Sequence, residues 1–235
     1  MSLRGSGMLI TFMDIAAADE AEFNRWYDGE HIAERVGIAG FIAARRFVAP
    51  RGAPAGMPKY LAFYETETLA VLGGAAYRQA LNNQTAWSRA VMAKFVRPGR
   101  IIAALQASRG RGRGGAVAFI RCAPLPGRES ALRTWLEGPA LTSWVAEPGI
   151  VGAHFLVNDP ALSLPLDADG KPVATAPPAP TTWIVIVEAT SLAALDVVPS
   201  PAVFETAGAV PGMQVGHYEL MWELARDDLA ARGAR

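Results

Sequence analysis

Short runs of β-branched and aromatic residues alternate along this chain with longer segments whose apolar positions recur every three to four residues. LITFMD (9–14) reads as a strand. DEAEFNRWYDGEHIAERV (19–36) reads as a helix, with Asp19 as N-cap and Glu22, three residues on, completing a capping-box-like start. Along it Phe23, Trp26 or Tyr27, Glu30 or His31, and Glu34 recur at helical spacing. GFIAARRFVA (40–49) is a second strand, RGAPAGMP (51–58) has turn chemistry, and KYLAFYETE (59–67) returns as a hairpin strand. A broken helix over 68–95 and a last strand, GRIIAALQA (99–107), follow.

The same order then comes again. DEAEFNRWYDGEHIAERVGIAGFIAARRFVA (19–49) lies over RESALRTWLEGPALTSWVAEPGIVGAHFLVN (128–158) without a gap. Trp26 meets Trp135, an offset of 109 (135 − 26), and at that offset Gly29 meets Gly138, Val36 meets Val145 and Gly40 meets Gly149. YLAFYETETLAVL (60–72) resembles WIVIVEATSLAAL (183–195), pairing Glu65 with Glu188, and RPGRIIAAL (97–105) resembles VPGMQVGHY (210–218). The pattern predicts βαββαβ twice, the ferredoxin-like unit, as an internal duplication. Repeats are expected over 7–107 and 115–223, joined by a flexible Arg/Gly linker (108–114) and followed by a helical tail (224–235) with Leu220, Leu224 and Leu229 nearby. The second hairpin loop, 158–180, is longer and rich in Pro and Ala.

The strands are apolar on both parities: Phe41, Ala43 and Phe47 on one, Ile42, Ala44 and Val48 on the other. Such strands require cover on both faces. An α+β fold is therefore expected, with two tandem ferredoxin-like repeats packed sheet to sheet as a pseudo-dimeric α/β barrel and helices outside.

Composition narrows the function classes. Hydrophobic residues make up 51% of the 235, enough for a sizeable core, and 22 basic residues balance 22 acidic ones. Nothing in that balance favours nucleic acid. Cys122 is the single cysteine, which removes an internal disulfide or a cysteine-rich zinc site and fits a reducing compartment. MSLRGSGMLITFMDI lacks a secretion-signal pattern, and no apolar run reaches about 18 residues, so a cytoplasmic protein without a membrane span is expected.

The WYxxEHI segment, the following GF strand and the KYLAxYE strand resemble the dimeric α/β-barrel superfamily, in particular its EthD-like and stress-responsive barrel branches. The resemblance covers both repeats. It implies the barrel, and a choice of activities: quinone-forming monooxygenases, muconolactone-type isomerases, haem-dependent enzymes and members without a known reaction.

Candidate chemistry is concentrated in RWYDGEHIAERV (25–36). His31 is a candidate acid/base with Glu30 beside it, and Tyr27 lies four residues earlier as an aromatic wall or proton donor. The second repeat has Leu136, Pro139 and Ala140 at the positions of Tyr27, Glu30 and His31, so the architecture does not demand these residues. A histidine bonded at the surface or an interface fits the same pattern. Arg45, His154 and Arg121 share one strand parity and could line a partly basic interior pocket for an acidic or phenolic ligand. Equally, they could snorkel at strand ends. Tyr64 is a further candidate lining residue. His31, His154 and His217 show no metal spacing and no haem motif, so no cofactor is indicated, though each could serve as an axial ligand. Phosphate loops and nucleophile elbows are absent from the sequence.

Three readings follow. The first is a cofactor-independent monooxygenase, isomerase or decarboxylase-like enzyme acting on an aromatic or polyketide-like compound in the barrel. The second is a non-catalytic binding or oligomerisation module using the same barrel, with the helix of the first repeat as a partner surface; a homodimer paired through the C-terminal segment (217–235) is a separate expectation. The third is a haem-dependent barrel enzyme.

Overall fold

A computed structural model describes residues 3–50, 56–165, 173 and 181–232. Its first half runs β1 (Gly7–Asp14), α1 (Glu20–Trp26), a π-helical turn (Tyr27–His31), α2 (Ile32–Val36), β2 (Phe41–Val48), β3 (Tyr60–Thr66), α3 (Ala75–Asn82), α4 (Ala86–Met92) and β4 (Val96–Gly110). The second half runs β5 (Ala116–Cys122), α5 (Glu129–Trp135), a π-helical turn (Leu136–Ala140), α6 (Leu141–Ala146), β6 (Ile150–Asn158), β7 (Trp183–Ala189), α7 (Pro201–Ala207) and β8 (Gln214–Ala225). A last helix, α8, spans Arg226–Arg232.

The eight strands close into one antiparallel barrel in the order β1-β3-β2-β8-β5-β7-β6-β4. Each half contributes the same run of four, 4-1-3-2 and 8-5-7-6. Two long strands make the seams. β4 pairs with β1 over its first part and with β6 over Ala103–Gly110, while β8 pairs with β5 and then with β2 from Glu219 onward.

Apolar residues on both parities have the expected consequence. One parity fills the barrel, where Ile10, Phe47, Phe63, Phe119, Ile184 and Ile186 form a cluster of fully buried side chains. The other parity faces the helices, as a separate core in each half. Trp26 is fully buried and donates to Ser88 Oγ at 3.0 Å. Its counterpart Trp135 is half-buried, edge-on to Phe204.

One end of the interior holds charge. Arg45 makes two hydrogen bonds to Glu188 (2.8 and 3.0 Å), and its Nε lies 3.5 Å from Glu65. His154 Nε2 is 3.3 Å from the same Glu188, and its Nδ1 is 2.9 Å from Ser108 Oγ. Arg113 binds Glu65 at 2.6 Å and also Glu223. Burial alone would raise the Glu188 carboxyl. Hydrogen bonding from His154, with the charge and bonds of Arg45, outweighs that and holds it at about 2.

Three expectations need correction. The Arg/Gly segment is not a free linker: Ser108–Gly110 extend β4 against Gly152–His154, and Gly114 N–H donates to Glu188 at 2.9 Å. Ladder bonds are made by the backbone, so polar residues in this segment do not prevent pairing. Leu224 belongs to β8, and Leu220 with it, so neither lies on a C-terminal helix. Finally, the helix over 19–36 contains a π turn. The extra residue rotates everything after it by about 100°. Arg35 is consequently buried and Glu34 exposed, the reverse of what uninterrupted spacing predicts.

Two stability predictions follow from this packing. Trp26→Ala should cost about 3–5 kcal/mol in urea unfolding, and Trp135→Ala clearly less; equal losses would contradict the difference in burial. Glu188→Gln removes the carboxylate that binds Arg45 at 2.8 and 3.0 Å, leaving only the more distant Glu65, and should cost about 3 kcal/mol at neutral pH. Because the folded carboxyl at about 2 lies below its ordinary 4.5, its contribution is complete above about 4.5 and is lost as pH falls toward 2. Acid titration of stability should therefore show a limb in the wild type that is diminished in Glu188→Gln.

Candidate functional site

A cavity lies outside the barrel wall, between the first half's sheet and its helices. It has a volume of about 650 Å³. Its floor is the outward parity of β1 and β3 (Leu9, Thr11, Met13 and Tyr64), where strand alternation turns Glu65 inward and Tyr64 outward. The π turn and α2 bring Tyr27, His31 and Arg35 to one side. Tyr77 and Leu81 from α3, Met92 from α4, and Phe95, Gly99 and Arg100 enclose the rest. Ser163 and Pro165, at the start of the long second hairpin loop, complete it, and Arg100 secures that loop by donating to Leu162 O at 2.7 Å. Residues 166–172 and 174–180 of the loop lie outside the described residues, so closure over a mouth is not addressed by them.

Three hydroxyls form a chain on the floor. Tyr27 Oη is 2.8 Å from Tyr64 Oη and 3.3 Å from Thr11 Oγ1. Two contacts engage two of the three hydroxyl hydrogens, which leaves one to donate elsewhere. Burial raises both phenols above their ordinary value, Tyr64 the more strongly because the phenol of Tyr27 adds to it. Both are neutral near pH 7.

His31 packs against aromatic rings, with centroids 4.4 Å from Trp26 and 5.1 Å from Tyr27. Burial, then the charges of Arg35 and Arg46, hold its imidazole well below the ordinary value, so it is neutral. Its Nδ1 is buried and has no hydrogen-bond partner among the described residues. An unbonded nitrogen in a neutral ring is a proton or hydrogen-bond acceptor if it is the unprotonated one.

The structure thus brings together His31, Tyr27 and Tyr64 from the sequence-derived set, and separates the others from them. Glu30 does not line the cavity: its carboxylate accepts from Thr85 (2.6 Å) and Ser88 (3.1 Å), fastening α4 to the π turn. Arg45 and His154 do share a parity, but it is the interior one, and there Glu188 takes them both. Arg121 shares that parity four residues further along β5 from Val117, about 13 Å by strand rise, with its guanidinium over Phe12. In place of an open basic pocket, Arg45 and His154 form an ion-pair network with Glu188. His217 does not line the cavity either. Among the described residues no cluster of three His, Cys, Asp or Glu could hold a metal, and no helix is long and apolar enough to cross a membrane.

The comparison of the two halves locates residues that helical spacing missed. At the 109-residue offset Thr11, Tyr27, His31 and Arg35 meet Ile120, Leu136, Ala140 and Trp144, while Tyr64 meets Val187 and Arg100 meets Met213. All six counterparts belong to one apolar core. There Trp144 stacks on Phe204 with centroids 6.0 Å apart, where the first half has space. Thr11, Arg35 and Arg100 could have been found by the same polar-against-apolar test that singled out His31.

No protein-family model matches the chain, and no curated protein matches it. Solved structures do. An anthrone oxidase-like protein superposes with a TM-score of 0.64 at 10% identity over 96% of both chains. A candidate monooxygenase from Lactobacillus acidophilus NCFM gives 0.57 at 14% identity, covering 94% of this chain and 97% of that one. A candidate chlorite dismutase gives 0.51 at 9% identity, over 97% and 99%. At these identities the likeness speaks to fold, and with the closed barrel it gives one conclusion: the chain has the fold of the dimeric α/β-barrel proteins, with all eight strands supplied by a single chain.

Proposed function

We propose that the cavity binds a planar aromatic or polyketide-like molecule, and that His31 removes a proton from it without a cofactor. The observation that carries this reading is His31 itself, a neutral imidazole with an unbonded nitrogen on the wall of a cavity of about 650 Å³. The cavity is of a size typical for small-molecule sites and is walled by aromatic side chains. The Tyr27–Tyr64–Thr11 chain has one hydrogen to give, so it can stabilise an enolate or phenolate oxygen as that charge develops.

The chemistry begins with a proton passing to His31 from a carbon whose anion is conjugated with a ring carbonyl, as is the methylene of anthrone across the ring from its carbonyl. The resulting enolate can take the proton back at another carbon, an isomerisation, or surrender electrons to dissolved oxygen. The name of the anthrone oxidase-like neighbour supports the second course for this chain. A duplication as the origin of the two halves accords with the gap-free offset, the shared strand order and the π turn at matching positions in each.

Binding without turnover is the second reading, and one observation favours it: burial leaves His31 a weak base. Anthrone in air-saturated buffer separates the two, because its oxidation by oxygen to anthraquinone and water is followed by absorbance. Wild type should accelerate the reaction, and His31→Ala should lower the protein-dependent rate by at least about 100-fold while keeping its melting temperature. Tyr64→Phe should slow it as well. Acceleration that survives in His31→Ala would refute the role of His31; tight binding of anthrone with no acceleration would establish the non-catalytic reading instead.

A further inference from the structure

Among the described residues three arginines are buried, and two of them have a carboxylate. Arg45 is held by Glu188, and Arg46 by Asp28 and Asn24, each at 2.5 Å. The third, Arg35, is 4% exposed, and its guanidinium has neither an ion pair nor a hydrogen bond among the described residues. It lines the cavity. Arg89 and Arg100 line it too, and their closest bonds go to carbonyl oxygens, those of Gln84 and Leu162. No aspartate or glutamate is among the described lining residues. The described wall of the cavity is therefore cationic.

A largely buried guanidinium that meets no carboxylate among the described residues is available to a ligand, and the fold does not require this one. The same helical position in the second half is Trp144, which packs into apolar core. What the protein lacks at Arg35, a ligand can supply. We propose that the cavity takes an aromatic molecule bearing a carboxylate, with the carboxylate bound by Arg35 and the ring plane among Tyr64, Tyr77 and Phe95. Guanidinium groups match carboxylates through paired N–H donors, and the match strengthens where water is excluded. The inference rests on the cavity being the ligand site, and it adds the charge of the ligand. It also links binding to chemistry. A carboxylate on Arg35 offsets the charge that, after burial, most strongly holds His31 below its ordinary value, so the bound complex has the more basic imidazole.

The test is calorimetric titration at pH 7 with 2-naphthoate and its neutral counterpart 2-naphthamide, on wild type, Arg35→Met and Arg35→Lys. Wild type should bind the naphthoate at least tenfold more tightly than the amide. Arg35→Met should bind both about equally, and Arg35→Lys should keep part of the difference. Equal binding of the two by wild type, or an undiminished difference in Arg35→Met, overturns the carboxylate assignment but leaves the cavity as the ligand site. Failure of wild type to bind either overturns both. The wild-type comparison stands even if Arg35→Met folds poorly. The melting temperature adds a check: loss of an unpaired buried charge should leave Arg35→Met at least as stable as wild type, and a large decrease would show a structural role for Arg35.

Discussion

Neither face of either four-stranded sheet can be left to water, and the rest of the structure depends on that. One parity of each strand is apolar enough to form a core with the opposite sheet, and the other to form a core with helices. Closing the barrel satisfies the first, and the long seam strands β4 and β8 leave no open edge between the halves. Among the described residues the interior holds aromatic and branched side chains and the Arg45–Glu188–His154 network. The cavity described above lies on the helical side of the wall.

There the two halves use one backbone plan for different ends. In the second, Trp144, Phe204, Leu136 and Ile120 fill the layer between sheet and helices. In the first, hydroxyls, an imidazole and guanidinium groups stand at the corresponding positions, and a cavity remains. Polar side chains cannot simply collapse together as apolar ones do, because each needs a partner. Tyr27, Tyr64 and Thr11 find one another, while His31 Nδ1 has no partner among the described residues. Unmet polar groups around an enclosed space are what a binding site consists of before its ligand arrives.

The π turn sets this geometry. It occurs at the same position in both halves, so it belongs to the shared plan and not to the chemistry of one half. Its consequence differs between them: the rotated helix buries Arg35 beside His31 in the first and Trp144 in the second. Glu30, displaced from the cavity, fastens α4 instead.

Much of this was legible in the residues. Alternating and helical periodicities give the βαββαβ order, and the gap-free offset of 109 reveals two matching halves. The contrast of His31 and Tyr27 with Ala140 and Leu136 marks the half that carries unusual chemistry. Other features were settled only by tertiary structure. Strand parity groups Arg45, His154 and Arg121 correctly, but parity does not say whether the space they enter is empty, since that depends on volumes contributed by strands far apart in sequence. Pairing of Ser108–Gly110 with β6 depends on backbone groups that side-chain pattern does not report. Helical spacing assumes 3.6 residues per turn, and one wide turn shifted the frame so that Arg35, not Glu34, faces the cavity. Sequence alone thus determined which elements form and which half is chemically distinctive. The tertiary fold decided which face stays open and which charges are already neutralised, because both depend on partners brought together only by closure of the barrel.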